Sequence, residues 1–410
     1  MLKQGLKENW SQFWLLILIN GFVGAMLGLE RSVIPQFALE RFNIESGFAV
    51  FSFIIAFGTS KSITNLLMGY LTLKLSRKTI LLIGWLFALP IPFIFLYTQS
   101  WNWIIFANVL LGINQGLAWS ATVVMKIDLV GDKNRGLAMG FNEFSGYLAV
   151  GLSGALAGYL LSTFSNWDYV FLPGMVFATA GFILTLFFVK NTEKLVSLEQ
   201  STSSIKPLQN IWKETTFINK NLSSVNLSGF VNNLNDGVLW GVLPILLLAK
   251  NFSITEISLL AGIYPTAWGL GQLFTGKMGD VYCKKQLINL GMILQAAAIF
   301  LLVLNLDFLF YGLVLVVLGI GTALVYPNFI TVIAENSNPK QRPQILSIFR
   351  FYRDAGYVAG AVLAGFLNAT FGLNATLVIV ALITFLTGVL SEYRMCCTKK
   401  VLWNSEICVS

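Results

Sequence analysis

The sequence predicts an all-α integral membrane protein of twelve transmembrane helices in two six-helix repeats. Three observations carry that expectation. Of the 410 residues 56% are hydrophobic and only 11% are charged, with a mean hydropathy of +0.73, whereas soluble domains carry about 25% charged residues. Apolar stretches of about 20 residues, enough to cross roughly 30 Å of hydrocarbon, recur along the chain. Finally, the chain matches itself at one ungapped offset of 207 residues.

The first apolar run follows Lys3 and Lys7. It is too long for a signal-peptide core and has no small-residue cleavage site, so it reads as a retained span. Six spans fall near 13–36, 47–72, 79–98, 102–125, 136–162 and 169–189, and six more near 223–249, 256–278, 286–304, 308–333, 344–367 and 373–393. Between the sets lies a polar stretch with Glu199, Gln200, Ser201, Thr202, Ser203 and Ser204, which reads as a linker. The expected organisation is a six-helix half over 1–190, a cytoplasmic linker 191–222, a second half 223–395 and a cytoplasmic tail 396–410.

At the 207-residue offset Gly69 meets Gly276, Arg77 and Lys78 meet Lys284 and Lys285, and Asp128, Lys133 and Arg135 meet Glu335, Lys340 and Arg342. Charged residues that match in type and register are stronger evidence of duplication than glycine or leucine matches. An even number of spans per half makes the repeats parallel, related by an axis along the membrane normal. With the N-terminus in the cytoplasm, twenty-one of the 27 basic residues lie in cytoplasmic loops and tails. Arg41 and Lys250 lie outside, and Arg31, Lys61, Arg350 and Arg353 lie within spans. Lysine and arginine collect on the cytoplasmic side, so both termini are expected there.

Histidine is absent, which removes imidazole acid/base catalysis, Ser-His-Asp and Cys-His nucleophiles, and His-based metal sites. No metal, cofactor or catalytic residue is therefore expected. The excess of basic residues reports topology rather than nucleic-acid binding. Cys283, Cys396, Cys397 and Cys408 form no CxxC pair, and none lies in a segment read as extracytoplasmic, so a disulfide framework is not expected.

Two loops carry a family resemblance. Gly69-Tyr-Leu-Thr-Leu-Lys-Leu-Ser-Arg77-Lys78 and Gly276-Lys-Met-Gly-Asp280-Val-Tyr-Cys-Lys284-Lys285 resemble the signature loop of the major facilitator superfamily, G-x-x-x-D-x-x-G-[RK]-[RK]. The first copy departs from it with Leu73 and Ser76, the second with Cys283. Asp128 and Arg135, and again Glu335 and Arg342, have the acidic-x6-basic spacing of that superfamily after spans four and ten. Asn108 stands where an arginine is expected in span four, and the fifth span has Gly146, Gly151, Gly154 and Gly158 without the Gly-Pro pair of the antiporter motif. These glycines read as close helix-packing positions.

The resemblance implies a transporter working by alternating access, with a cytoplasmic gate of Gly69, Arg77, Lys78, Asp128, Arg135, Gly276, Asp280, Lys284, Lys285, Glu335 and Arg342. It also implies that spans one, four, seven and ten line a cavity. They supply Asn20, Asn114, Gln115, Trp119, Thr122, Asn232, Asn233, Asn235, Asp236, Trp240, Thr322, Tyr326 and Asn328. Polar neutral groups among aromatic rings suit an amphipathic organic solute.

A charge near the bilayer centre costs roughly 2.5–3.5 kcal/mol and persists only when paired or hydrated. The intramembrane network is read as Glu30, Arg31, Lys61, Arg350, Arg353 and Asp354, and the candidate proton-coupling carboxylates as Glu143, Asp236 and Asp354. At about 1.5 Å per residue, Lys61 and Glu143 lie ~12 Å, and Arg350 to Asp354 ~10–16 Å, from the cytoplasmic ends. The resulting expectation is a proton-coupled exporter of a small organic solute in a bacterial inner membrane, monomeric and surrounded by lipid. An organic-anion symporter or a uniporter is the alternative, and a multi-pass enzyme or a transporter-like sensor is the reading from another class.

Topology is tested by single cysteines at Ser165, Asn251 and Ser203 in a background without the native four. Ser165→Cys and Asn251→Cys should label from outside and Ser203→Cys should not. The opposite pattern would invert the orientation.

Overall fold

The computed structural model describes residues 3–404 apart from 32, 45, 132–133 and 203–204. Lys133 of the repeat, Ser203 and Ser204 of the linker, and Cys408 lie outside the described residues. The protein is an all-α membrane protein. Eight helices among the described residues are long and apolar enough to cross a membrane: Trp10–Arg31, Arg77–Tyr97, Trp101–Val130, Arg135–Phe164, Trp167–Phe188, Lys220–Ala249, Phe308–Glu335 and Arg342–Arg394. The last holds two passes, because Gly372 breaks it at a left-handed φ of 81° that only glycine adopts without strain. Ser46–Leu71, Ile254–Val281 and Lys284–Leu301 complete an order consistent with twelve spans.

Local chemistry sets the ends. The first amides of a helix lack intrahelical acceptors, and polar side chains supply them: Ser76 accepts from Thr79, Asn219 from Leu222 and Asp307 from Phe310. Ser253 and Glu256 form a reciprocal capping box. Pro90 starts a new helical segment inside Arg77–Tyr97. In span four, Gln115–Trp119 forms a π-helical turn, and a short helix, Ile34–Phe42, follows span one.

The chain forms two compact units. The first comprises Met1–Asp132 and Ser145–Thr202, the second Lys133–Phe144 and Ser203–Ser410. The start of span five, with Glu143, groups with the second unit. The linker is also divided and folded. Helix Glu193–Thr202 buries Leu195 and Val196 in the first unit, and Gln4 donates to the Leu195 carbonyl. In the second unit Gln341 exchanges hydrogen bonds with Leu208, and Asn338 donates to the Ile205 carbonyl. Polar composition concealed these contacts, because amphipathic turns this short leave little periodic signal.

The expectation of no disulfide is corrected. Cys283 and Cys397 are bonded, with Cα atoms 5.3 Å apart across a sequence separation of 114. The tail turns back along the loop before span nine, forming the bridge between Tyr282 and Lys400. No local spacing of cysteines could show that return.

Close helix packing accounts for only some of the glycines. In the first unit a Cβ on Gly24 would collide with the Gly146 carbonyl, and one on Gly146 with the Trp119 ring. Gly151 and Gly158 have nothing within 4 Å of that position, so the packing reading fails for them. Forcing bulk into a tight contact commonly costs about 1–3 kcal/mol. Gly24→Val should lower the melting temperature in detergent and the yield, whereas Gly151→Ala should leave both unchanged. Equal tolerance at the two sites would show that spans one and five do not pack this closely.

Candidate transport site and gating loops

The loop charges come together as two equivalent ion pairs. In the first unit Arg77 Nε lies 2.7 Å from Asp128 Oδ2. In the second, Lys284 Nζ lies 2.8 Å from Glu335 Oε1. The partners are related by the same 207-residue offset, so one arrangement serves both repeats. Their surroundings differ. Asp128 also accepts from Thr192 Oγ1 at 2.7 Å, and Glu193 reaches Arg77 at 3.9 Å. Glu335 instead receives Lys399 at 3.7 Å from the tail.

Other gate candidates take separate places. Lys78 donates to the Leu186 carbonyl, and Lys285 pairs with Glu392 at 3.4 Å. Arg342 is buried and donates to the Ala334 carbonyl, and Arg135 is buried too. Gly69 contributes its carbonyl to Thr72. Asp280 accepts from the backbone amides of Gly136 and Leu137 at 2.9 and 3.1 Å, supplying the acceptors that the start of Arg135–Phe164 lacks. Gly276 allows this approach, since a Cβ there would collide with the Gly136 carbonyl.

Most cavity candidates of the first unit hold helices together. Asn114 donates to the Gly84 carbonyl at 2.9 Å, Gln115 to the Val23 carbonyl at 2.7 Å, and Thr122 to Asn20 Oδ1 at 3.1 Å. Asn20 donates to Ser145. Trp119 is edge-on to Tyr147, and Lys61 Nζ lies 5.7 Å from the Trp119 ring and 5.4 Å from Phe57. Arg31 lies over Phe57 and Phe53, at 5.2 and 5.8 Å, and Glu30 is buried. Such cation–ring contacts attract through the ring quadrupole.

In the second unit Asp236 accepts from the Tyr264 phenol, whose oxygen lies 3.3 Å from Thr322 Oγ1. Tyr264 stacks on Trp268. Asn235 donates to Gln295 and accepts from Thr384, Asn232 donates to Asn233, and Asn328 donates to its own helix at Leu324. Trp240 is exposed. Arg353 holds Asp354 through Nε at 2.8 Å, donates to the Tyr326 hydroxyl and lies over that ring. Asn142 donates to Glu143 at 2.5 Å, and Arg350 is buried. Sequence alone does not single out Tyr264, Thr192, Glu193 or Lys399. Of these only Tyr264 had a signal, an aromatic hydroxyl inside an apolar span.

The Major Facilitator Superfamily model matches residues 10–221 and 225–396. The chain belongs to this superfamily. The protein is thus a multi-pass membrane transporter and not an enzyme. It is 24% identical to the multidrug resistance protein MdtG of Proteus mirabilis, over 92% of this chain and 94% of that protein. It is 26% identical to MdtG of Escherichia fergusonii, over 91% and 92%. Among solved structures, the human organic anion transporter MFSD10 has a TM-score of 0.79 at 14% identity, covering 93% of this chain and 98% of that one. The proton:xylose symporter XylE has 0.72 at 14%, covering 95% and 97%. These structural likenesses concern the fold.

Removing one partner of a buried ion pair commonly costs about 3–5 kcal/mol, whereas removing both can be nearly neutral. The Asp128 side chain is 2% exposed and its partner 7%, but the Glu335 side chain is 28% exposed. Asp128→Asn should therefore lower thermal stability and transport more than Glu335→Gln, and Arg77→Gln combined with Asp128→Asn should recover stability. Normal transport in both single variants would reduce the acids to membrane anchors.

Proposed function

We propose that this protein exports a small amphipathic organic solute by alternating access, driven by proton exchange at Asp236. The observation that carries the reading is the hydrogen bond from Tyr264 to this buried carboxylate, with Thr322 beside the phenol. A protonated Asp236 becomes a donor, and Tyr264 can then turn its hydroxyl toward Thr322. One proton thus rearranges contacts among spans seven, eight and ten, which gives a carboxylate the means to bias a two-state element. Asp354 suits the task less, since protonation there would break its pair with Arg353. The intramembrane Glu143 is the second candidate.

Export is supported by the names of the bacterial relatives, multidrug resistance proteins. Aromatic rings among polar neutral groups favour an amphipathic cargo. A bacterial inner membrane, cytoplasmic termini and a monomeric state complete the reading. A second reading, uptake of an organic anion, is favoured by Arg31 and Lys61, whose cations share the Phe57 ring.

Everted vesicles energised with a pH gradient and challenged with fluorescent amphipathic cations and anions test both readings. Asp236→Asn should keep solute binding and lose dependence on the gradient. Unchanged gradient dependence would move coupling to Glu143 or Asp354, and anion accumulation opposite to the export direction would favour the second reading.

A further inference from the structure

The tail is built into the end of the second unit that carries the Lys284–Glu335 pair. The Cys283 amide donates to the Lys400 carbonyl at 2.8 Å, and the Gln286 side chain both donates to the Trp403 carbonyl and accepts from the Leu402 amide. Trp403 donates to Glu392. Lys399 donates to the Asp280 carbonyl at 2.9 Å and lies 3.7 Å from Glu335. One tail lysine thus joins the end of span eight to the end of span ten. The Cys283–Cys397 bond lies at the root of these contacts, and both cysteines are fully buried.

We propose that residues 395–403 are a redox-controlled strap. With the disulfide closed, the strap holds Lys399 on Glu335 and Asp280 and restrains the loops at this end of the unit; with it open, the strap leaves and the loops move. The basic residues nearby belong to the face expected to be cytoplasmic, where disulfides are usually transient and redox-sensing. Closing the strap turns two thiols into one S–S bond and releases two protons and two electrons. A disulfide of the glutathione or dithiol-protein class accepts the electrons and becomes two thiols by exchange, and reduction reverses the same exchange. Because both sulfurs are buried, exchange proceeds through local opening of the tail.

The strap itself is independent of the proposed solute and of Asp236; its effect on transport rests on the transporter reading. The test uses the full-length protein in lipid nanodiscs, oxidised with glutathione disulfide or reduced with dithiothreitol. Peptide mapping should find Cys283 linked to Cys397 after oxidation. Amide exchange over 282–286 and 400–403 should rise at least about tenfold on reduction, the signature of local opening. Cys283→Ser should exchange rapidly under both conditions. Serine is favoured at this helix N-cap, so the variant should fold, and Cys397→Ser gives the same test from the other sulfur. Absence of the link after oxidation, or equal exchange with and without it, would overturn the strap. An exchange response without transport of any probe would support the strap and count against the solute reading.

Discussion

A charge taken out of water keeps its place only where another group compensates it, and much of this structure follows from that requirement. Arg77 with Asp128, and Lys284 with Glu335, meet it in the same way at equivalent positions of the repeat. Each pair ties the first residue of one helix to the late turns of another, so burying the charge also fixes two helix ends. The repeats then diverge in how they complete the arrangement. The first unit draws Thr192 and Glu193 from a folded linker, and the second draws Lys399 from the tail. Segments that composition marks as spacers thereby become parts of the charge clusters.

Deeper in the spans, polar side chains divide by what they bind. Asn114 and Gln115 give their amides to backbone carbonyls of neighbouring helices. Interhelical bonds of this kind in membranes average about 0.6 kcal/mol; their value lies in register and close approach. Asp236, Tyr264 and Thr322 form a different kind of group, an acid, a phenol and a hydroxyl that can exchange donors and acceptors. Lys61 and Arg31 rest against aromatic faces in the first unit. A transporter needs both kinds, rigid helix contacts and groups whose bonding can change.

Hydropathy placed the spans within a few residues, because crossing a membrane demands a continuous apolar run and that demand is local. The duplication and the loop charges were equally legible. The 207-residue register matches acid to acid and base to base, and the two ion pairs fall at positions related by it. The corrections have a common origin. Gly151 and Gly158 look like Gly146 in sequence, yet only Gly146 lies under a ring. Cys283 and Cys397 share no local spacing, yet they are bonded.

Span order, duplication, membrane class and the charged residues of the loops were written in composition and period, properties that survive in an unfolded chain. Which carboxylate meets a phenol, which cysteine meets another across 114 residues, and which lysine completes an ion pair depend on helices being packed. Those partners are distant in sequence, and their distances are set by helix crossings and a returning tail. No window of neighbouring residues encodes such a meeting, so it arises only when the chain is folded.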